Sequence, residues 1–202
     1  MNPAIHFLTG WLIANVDDLK RTDRAVITLA AVVPDVDGFG IIAGLASEGA
    51  EEGLRLYGQY HHVIAHNLFF GLLITLAAYA ISKRRRLTAL LAFLSFHCHL
   101  LGDIISGRGP DGTLWSISYL FPVSSDFLLT WSGQWELNAW PNVLVTAVAL
   151  LFTLYLAWKR GFSPLNILSL KADLAVVKTL RNRFPLKDGA IEEASVHDRK
   201  LR

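Results

Sequence analysis

The chain is poor in charge, in cysteine and in continuous basic stretches. Of its 202 residues 18% are Asp, Glu, Lys or Arg and 52% are hydrophobic, where soluble domains average roughly 25% and 45 to 50%. That deficit argues against a fully solvated surface and for contact with lipid. The formal net charge is only +2, and the basic residues come as short clusters between apolar runs. The basic stripe of a nucleic-acid binder is therefore missing, and no nucleic acid is expected as a partner. The lone Cys98 excludes an internal disulfide and lies in an apolar run, where a small buried thiol is expected. Asn2 and Pro3 open the first apolar run without the basic region of a removable leader, so the first helix is expected to belong to the fold. No internal repeat is found, and the length suits one compact domain.

Apolar runs make up most of what is there. Pro3 to Val16 reads as a short helix and Ala25 to Val33 as a second, ending at Pro34, with the polar Asp17 to Arg24 stretch between them. Asp37 to Gly53 reads as a glycine-rich loop with at most a short helix. Asn67 to Ser82 and Leu87 to Ile105 are almost free of charge and flank the basic turn Lys83, Arg84, Arg85 and Arg86. That pattern predicts a helical hairpin with arms of roughly 24 to 28 Å, just short of a ~30 Å hydrocarbon core. Ser106 to Trp140 holds four of the six tryptophans, a composition suited to a membrane interface. Pro141 to Trp158 is a further apolar run, closed by Lys159 and Arg160. The expected fold class is all-α: a helical membrane-embedded bundle with short N-terminal helices and a helical hairpin. Residues 1–162 are expected to form the membrane-embedded unit. Residues 163–202 are expected to form a basic cytoplasmic tail, amphipathic over Leu174 to Leu180 and disordered at its end.

Positive charge in short loops sets orientation, which puts Lys83 to Arg86, Lys159, Arg160 and the Lys20, Arg21, Arg24 cluster on the cytoplasmic side. Following the chain from those points places His6, Pro34 to Gly38, His61 to His66 and His99 to Asp103 together on the opposite side. Those are the residues with metal-ligand chemistry. Imidazole and carboxylate are ordinary zinc ligands, and an i,i+4 pair such as His99 and Asp103 projects two of them from one helical face. An ionisable Asp inside an apolar run is costly unless partnered; the plainer reading is a pair with Arg108. In HHVIAHN, helical spacing favours His62 with His66, while His61 would reach the same centre only by preceding the helix. In PDVDG, alternation points Asp35 and Asp37 the same way if the segment is extended, the plainer reading being an Asx turn. SGRGPDG, with Arg108 and backbone donors, suits an anionic group or is a plain turn. Trp115, Tyr119, Phe121, Trp131, Trp135 and Trp140 suit interface anchoring or an acyl-chain groove. His62, His97 and Glu136 are left open as further members of the site, and His197 in the tail is given no role.

With HFLTGWLIA, PDVDG, HHVIAHN and HCHLLGDIISG in this order, the chain resembles the predicted membrane-bound metal-dependent hydrolases of bacterial inner membranes, once called a domain of unknown function. The resemblance runs from the first helix to about Ser125. It implies metal ligation by His6, Asp35, Asp37, His61, His66, His99 and Asp103. In the centre stretch the chain departs from the family pattern, with His62 for Arg, Val63 for Gly, Ala65 for Thr and Asn67 for Ser. The resemblance favours His61 with His66, where helical spacing favours His62. The order of ligands is also similar, more distantly, to that of zinc-dependent phospholipase C.

The resulting expectation is a metal-dependent hydrolase with one or two zinc-like ions, acting on an ester or phosphoester, plausibly a membrane lipid, at the membrane surface. Asp37 would serve as general base and Arg108 would steady an anionic group. The metal site would face the non-cytoplasmic side of a multi-pass protein of the bacterial inner membrane. The competing expectations are a transporter or sensor using the same His/Asp cluster, a non-catalytic membrane scaffold, and a soluble helical enzyme with an unusually apolar core.

Overall fold

A computed structural model describes residues 1–39, 61–109 and 112–186. The chain is mostly helical. Helices α1 (Pro3–Ile13) and α2 (Arg21–Ala30) are followed by a 3-10 turn (Val33–Phe39). Then come α3 (Leu68–Ile81), α4 (Arg85–Ser106) and the short strands β1 (Ile117–Ser118) and β2 (Leu128–Leu129). Helix α5 (Trp140–Arg160), a second 3-10 turn (Pro164–Ile167) and α6 (Leu170–Arg183) complete the described elements. The antiparallel β1–β2 pair is a small addition to the all-α expectation. The Gly-rich stretch beyond Phe39, and the tail end with His197, lie outside the described residues.

Local chemistry sets the helix ends. Asn2 accepts a hydrogen bond from the Ile5 amide ahead of Pro3, and Asn67 accepts from the Phe70 amide at 2.9 Å to start α3, as N-cap side chains do. Helix α5 ends at Gly161, whose φ of 85° suits glycine, with Lys159 and Arg160 in the last turn against the helix dipole. Helix α4 has no capping side chain of its own. Asp23 of α2, fully buried, supplies one from outside by accepting from the Lys83 and Arg84 amides at 2.9 and 3.0 Å.

Helix α4 is the hub, packed on α1, α2 and α3. Phe96, Leu100 and Ile117 form one apolar cluster around it, and Ala30, Ala78 and Ala92 another. Small residues let the helices approach: a Cβ at Gly71 would lie 2.8 Å from the Phe96 ring, and one at Gly10 would lie 2.7 Å from Ala31 Cβ and 2.8 Å from Thr28 O. At the end holding the α3–α4 turn, Arg24 is buried. It donates to Leu19 O and Asn166 Oδ1, with its guanidinium 3.8 Å over the Phe162 ring. Asp173 accepts from the Ser163 amide and from Asn166 Nδ2. The first part of the polar tail is thereby packed against α2 rather than trailing from it.

The hairpin arms differ from the expected pair. Arg85 and Arg86 join α4, so its 22 residues extend about 33 Å, while the 14 residues of α3 extend about 21 Å. Two helices, α4 and α5, are long and apolar enough to cross a membrane. Their outer faces and that of α3 are apolar and exposed: Leu76 on α3 and Leu151 on α5 each stand 67% exposed.

The α1–α2 crossing is expected to be intolerant of bulk. Gly10→Ala would push backbone against backbone and should lower stability by about 1 to 3 kcal/mol, read as a fall in melting temperature. A variant melting like wild type would show that the crossing is looser than these contacts require.

Candidate metal centre

The end of the bundle opposite the basic turn gathers all seven of the expected ligands. Helix α1 brings His6, the 3-10 turn brings Asp35 and Asp37, the 61–67 turn brings His61 and His66, and α4 brings His99 and Asp103. Two local expectations change. PDVDG is not extended but a 3-10 turn, so its two carboxylates diverge: Asp35 faces His99 and Asp37 faces His61 and His66. HHVIAHN is not helical before Leu68. His61 therefore enters from the turn, and backbone contacts hold that turn in place, Ser118 N donating to His62 O and Leu68 N to Tyr119 O.

Four ligand atoms converge. His99 Nε2 lies 2.9 Å from Asp103 Oδ2, 3.0 Å from His66 Nε2 and 3.6 Å from Asp35 Oδ1, and His66 Nε2 lies 3.4 Å from Asp103 Oδ2. The edge of a zinc tetrahedron with bonds of 2.0 to 2.1 Å is about 3.3 Å, so these spacings are already those of a coordination sphere. His66 and His99 are fully buried and Asp103 is 3% exposed.

The protons on the rings are fixed by what lies behind them. His99 Nδ1 is 2.8 Å from Ala31 O; a carbonyl only accepts, so Nδ1 carries the hydrogen and Nε2 faces inward as a lone pair. His66 Nδ1 sits 2.9 Å from Asp37 Oδ2 and donates to it. Its Nε2 then also meets acceptors, namely His99 Nε2 and Asp103 Oδ2. One oxygen each of Asp35 and Asp103 is buried without a hydrogen bond. Such a convergence of acceptors needs either one extra proton or a cation. The donor set and these orphaned oxygens fit a metal ion held by Asp35, His66, His99 and Asp103.

The other expected residues stand behind or beside that group. Asp37 accepts from His61 Nδ1 at 2.8 Å, His66 Nδ1 at 2.9 Å and the Ala65 amide at 3.1 Å. It orients ligands, as carboxylates behind metal-bound histidines do, and both its oxygens are occupied by this task. Burial alone would raise its pKa, but the two histidine hydrogen bonds outweigh burial and hold the carboxyl well below its usual range. His6 Nε2 reaches the far oxygen of Asp103 at 3.1 Å, its ring stacked on His99; Asp103 Oδ1 also accepts from the Met1 amine. Arg108 is not brought to the cluster: its Nε lies 3.4 Å from Gly112 O within its own loop, and among the described residues no ion pair joins it to Asp103. His97 points elsewhere, between Phe93 O and the Tyr119 hydroxyl, and Glu136 is exposed.

One participant was not legible in sequence, and another, His62, was left open there. Ala31 contributes only a carbonyl, which leaves no mark on residue type. His62, φ 68°, is buried, its Nε2 3.8 Å from Asp103 Oδ2. Burial, with His66 and His61 beside it, holds this imidazole well below the usual histidine range. With His61, it lines a cavity of about 290 Å³ completed by Val63, Leu114, Trp115, Ser116 and Ser118. Trp115 turns its ring edge-on to both histidines. Of the expected aromatic set, Trp115 is the one that lines this cavity.

Comparison with known proteins adds nothing to this geometry, since no family model, curated protein or solved structure matches the chain.

Without metal, burial works against a charge on His66, but the Asp103 and Asp37 carboxylates outweigh it and raise its pKa from 6.5 to about 9. A group whose folded value is raised stabilises the fold fully below its unfolded value and loses that contribution as pH rises through the folded one. Chelator-treated protein should therefore melt at progressively lower temperature from pH 6.5 to 9, and His66→Asn should flatten the trend. A wild-type melting temperature that rises across this window would refute a charged His66.

Proposed function

We propose that this chain is a membrane-embedded, metal-dependent hydrolase whose buried His/Asp centre works on an ester or phosphoester at the membrane surface. The observation that carries the reading is the convergence of Asp35, His66, His99 and Asp103 at tetrahedral spacing with lone pairs inward, beside a cavity of ligand-binding character. The resemblance to predicted membrane-bound metal-dependent hydrolases points the same way, and zinc is the ion the donors suit best. When bound, such an ion supplies Lewis acidity and acidifies a water toward a pKa of ~7.

The chain's own residues do the rest. Asp37 and the Ala31 carbonyl fix the rings of His66 and His99 so that Nε2 of each faces the ion. His6 holds the second oxygen of Asp103. The cavity at His61 and His62 admits the substrate. Val63, Leu114 and Trp115 give it an apolar wall and Ser116 and Ser118 supply hydroxyls, a lining suited to a substrate with an apolar portion such as a lipid. Asp37 is a positioning residue in this scheme, in place of the general-base role expected from sequence, and Arg108 is left out of the site.

Embedding rests on the exposed apolar faces of α3, α4 and α5 and on the two helices long enough to span. Basic turns gather at one end of the bundle and the His/Asp centre at the other, which favours an inner-membrane protein with its centre on the non-cytoplasmic side. The transporter reading would require ionisable groups to continue through the bundle. The buried residues of α4 beyond His99 are Ser95, Thr88 and apolar side chains, a row of hydroxyls without a titratable relay, so hydrolysis is the better-supported reading.

Detergent-purified wild type should carry zinc by elemental analysis and cleave chromogenic ester or phosphodiester substrates, with chelation abolishing turnover. Asp103→Ala and His66→Ala should lose the metal and at least about 100-fold of the rate. Metal-free wild type after reconstitution would sink the hydrolase reading; full metal with no turnover on either substrate class would favour the transporter or scaffold.

A further inference from the structure

His62 is the polar residue that the four-atom centre leaves unused. It is 5% exposed, and among the described residues neither of its ring nitrogens makes a hydrogen bond. Its nearest polar contact is Asp103 Oδ2, 3.8 Å from Nε2. It occupies both the wall of the cavity and the flank of the centre. The backbone takes up a left-handed conformation, φ 68°, uncommon for residues other than glycine, and the two adjacent imidazoles lie side by side, ring centroids 4.1 Å apart. Their rings also face His66, and one nitrogen from each of His61, His62 and His66 lies within 4.8 Å of the others. A buried imidazole with no hydrogen bond among the described residues carries a desolvation cost that a bound cation would offset.

We propose that the cavity side of the centre binds a second divalent cation, held by His61 and His62, with Asp103 as the carboxylate between the two ions. His66 belongs by distance to both groups, but its Nδ1 is committed to Asp37 and one Nε2 cannot serve two ions. Asp103 Oδ1 is held by His6 and the Met1 amine, but Oδ2 faces both groups, 2.9 Å from His99 Nε2 and 3.8 Å from His62 Nε2, and a carboxylate oxygen has the lone pairs to bridge. Asp37, accepting from His61 Nδ1 and from His66 Nδ1, then orients one ligand of each ion and couples the two sites. The first site lies between α4, the 3-10 turn and the 61–67 turn, with His66, His99 and Asp103 buried. The second faces the cavity, where water and substrate completing its coordination can exchange. This assigns the two ions different tasks, the inner one holding the fold of the centre and the outer one meeting the substrate.

The inference rests on the metal centre proposed above, and the test separates the two. Full-length protein in detergent is stripped with chelator, reloaded with Co²⁺ or Zn²⁺, desalted and analysed for metal per chain. The variants are His62→Gly and His62→Asn, both of which accept a left-handed backbone and remove the imidazole. Wild type should bind about two ions per chain, both His62 variants about one, and Asp103→Ala none. Two Co²⁺ ions at the ~3.5 to 4 Å spacing of paired sites should also give an exchange-coupled magnetic signal in wild type that becomes an uncoupled one in the His62 variants. One ion in wild type and one in the variants overturns the second site while leaving the first intact. Two ions in the variants overturns the assignment to His62. No metal in wild type overturns both readings.

Discussion

A carboxylate with almost no access to solvent, Asp103, organises the functional end of this protein. Removing such a charge from water costs several kcal/mol unless its surroundings compensate. Compensation here comes from imidazoles delivered by different parts of the chain: His6 from the first helix, His66 from the turn before α3, and His99 one helical turn away on α4. The position of each depends on a further contact, Ala31 O behind His99 and Asp37 behind His66. The helix packing and the site are thus one problem. The Gly10 crossing sets where α2 ends, the end of α2 sets the Ala31 carbonyl, and that carbonyl sets which nitrogen of His99 faces Asp103.

The contrast with the protein's other buried carboxylates shows what distinguishes a site from a structural polar group. Asp23 and Asp173 are as deeply buried as Asp103. Each accepts hydrogen bonds on both oxygens, Asp23 from the amides that open the α3–α4 turn and Asp173 from Ser163 and Asn166. They are complete without a ligand. Asp103 instead turns Oδ2 toward Nε2 of His66 and of His99, a set that is complete only with an added proton or cation. Burial alone does not separate these cases, whereas the direction of the surrounding donors does.

Much of this was readable in the sequence because apolar runs and ligand chemistry leave marks on residue type. The hairpin of α3 and α4 and the span of α5 followed from uninterrupted apolar stretches, and the gathering of His6, PDVD, HHxxxH and HxxxD at one end followed from alternating passage of those runs. What escaped was conformational. Nothing in PDVDG announces a 3-10 turn in place of an extended segment, and that choice decides that Asp35 meets the ligand atoms while Asp37 stands behind them. The two adjacent histidines could not be ranked by helical spacing because they do not lie on a helix. Arg85 and Arg86 read as loop from their charge, yet Asp23 caps the turn early enough for them to enter α4. Arg108 was expected near an anion, but among the described residues its guanidinium meets the Gly112 carbonyl of its own loop.

The side chains of the centre come from widely separated parts of the chain, His6 and Asp103 being 97 residues apart, yet none comes from α5 or α6. The last segments to fix the centre are β1 and Tyr119, which hold the His61 to Leu68 turn by backbone hydrogen bonds. During synthesis, every group that touches the centre is therefore made before α5 begins. The growing chain can close its polar interior while α5, 21 residues long and exposed along most of its length, is still to come. What then remains is of a different physical character, the packing of α5 along α1 and the Asp173 contacts at the far end.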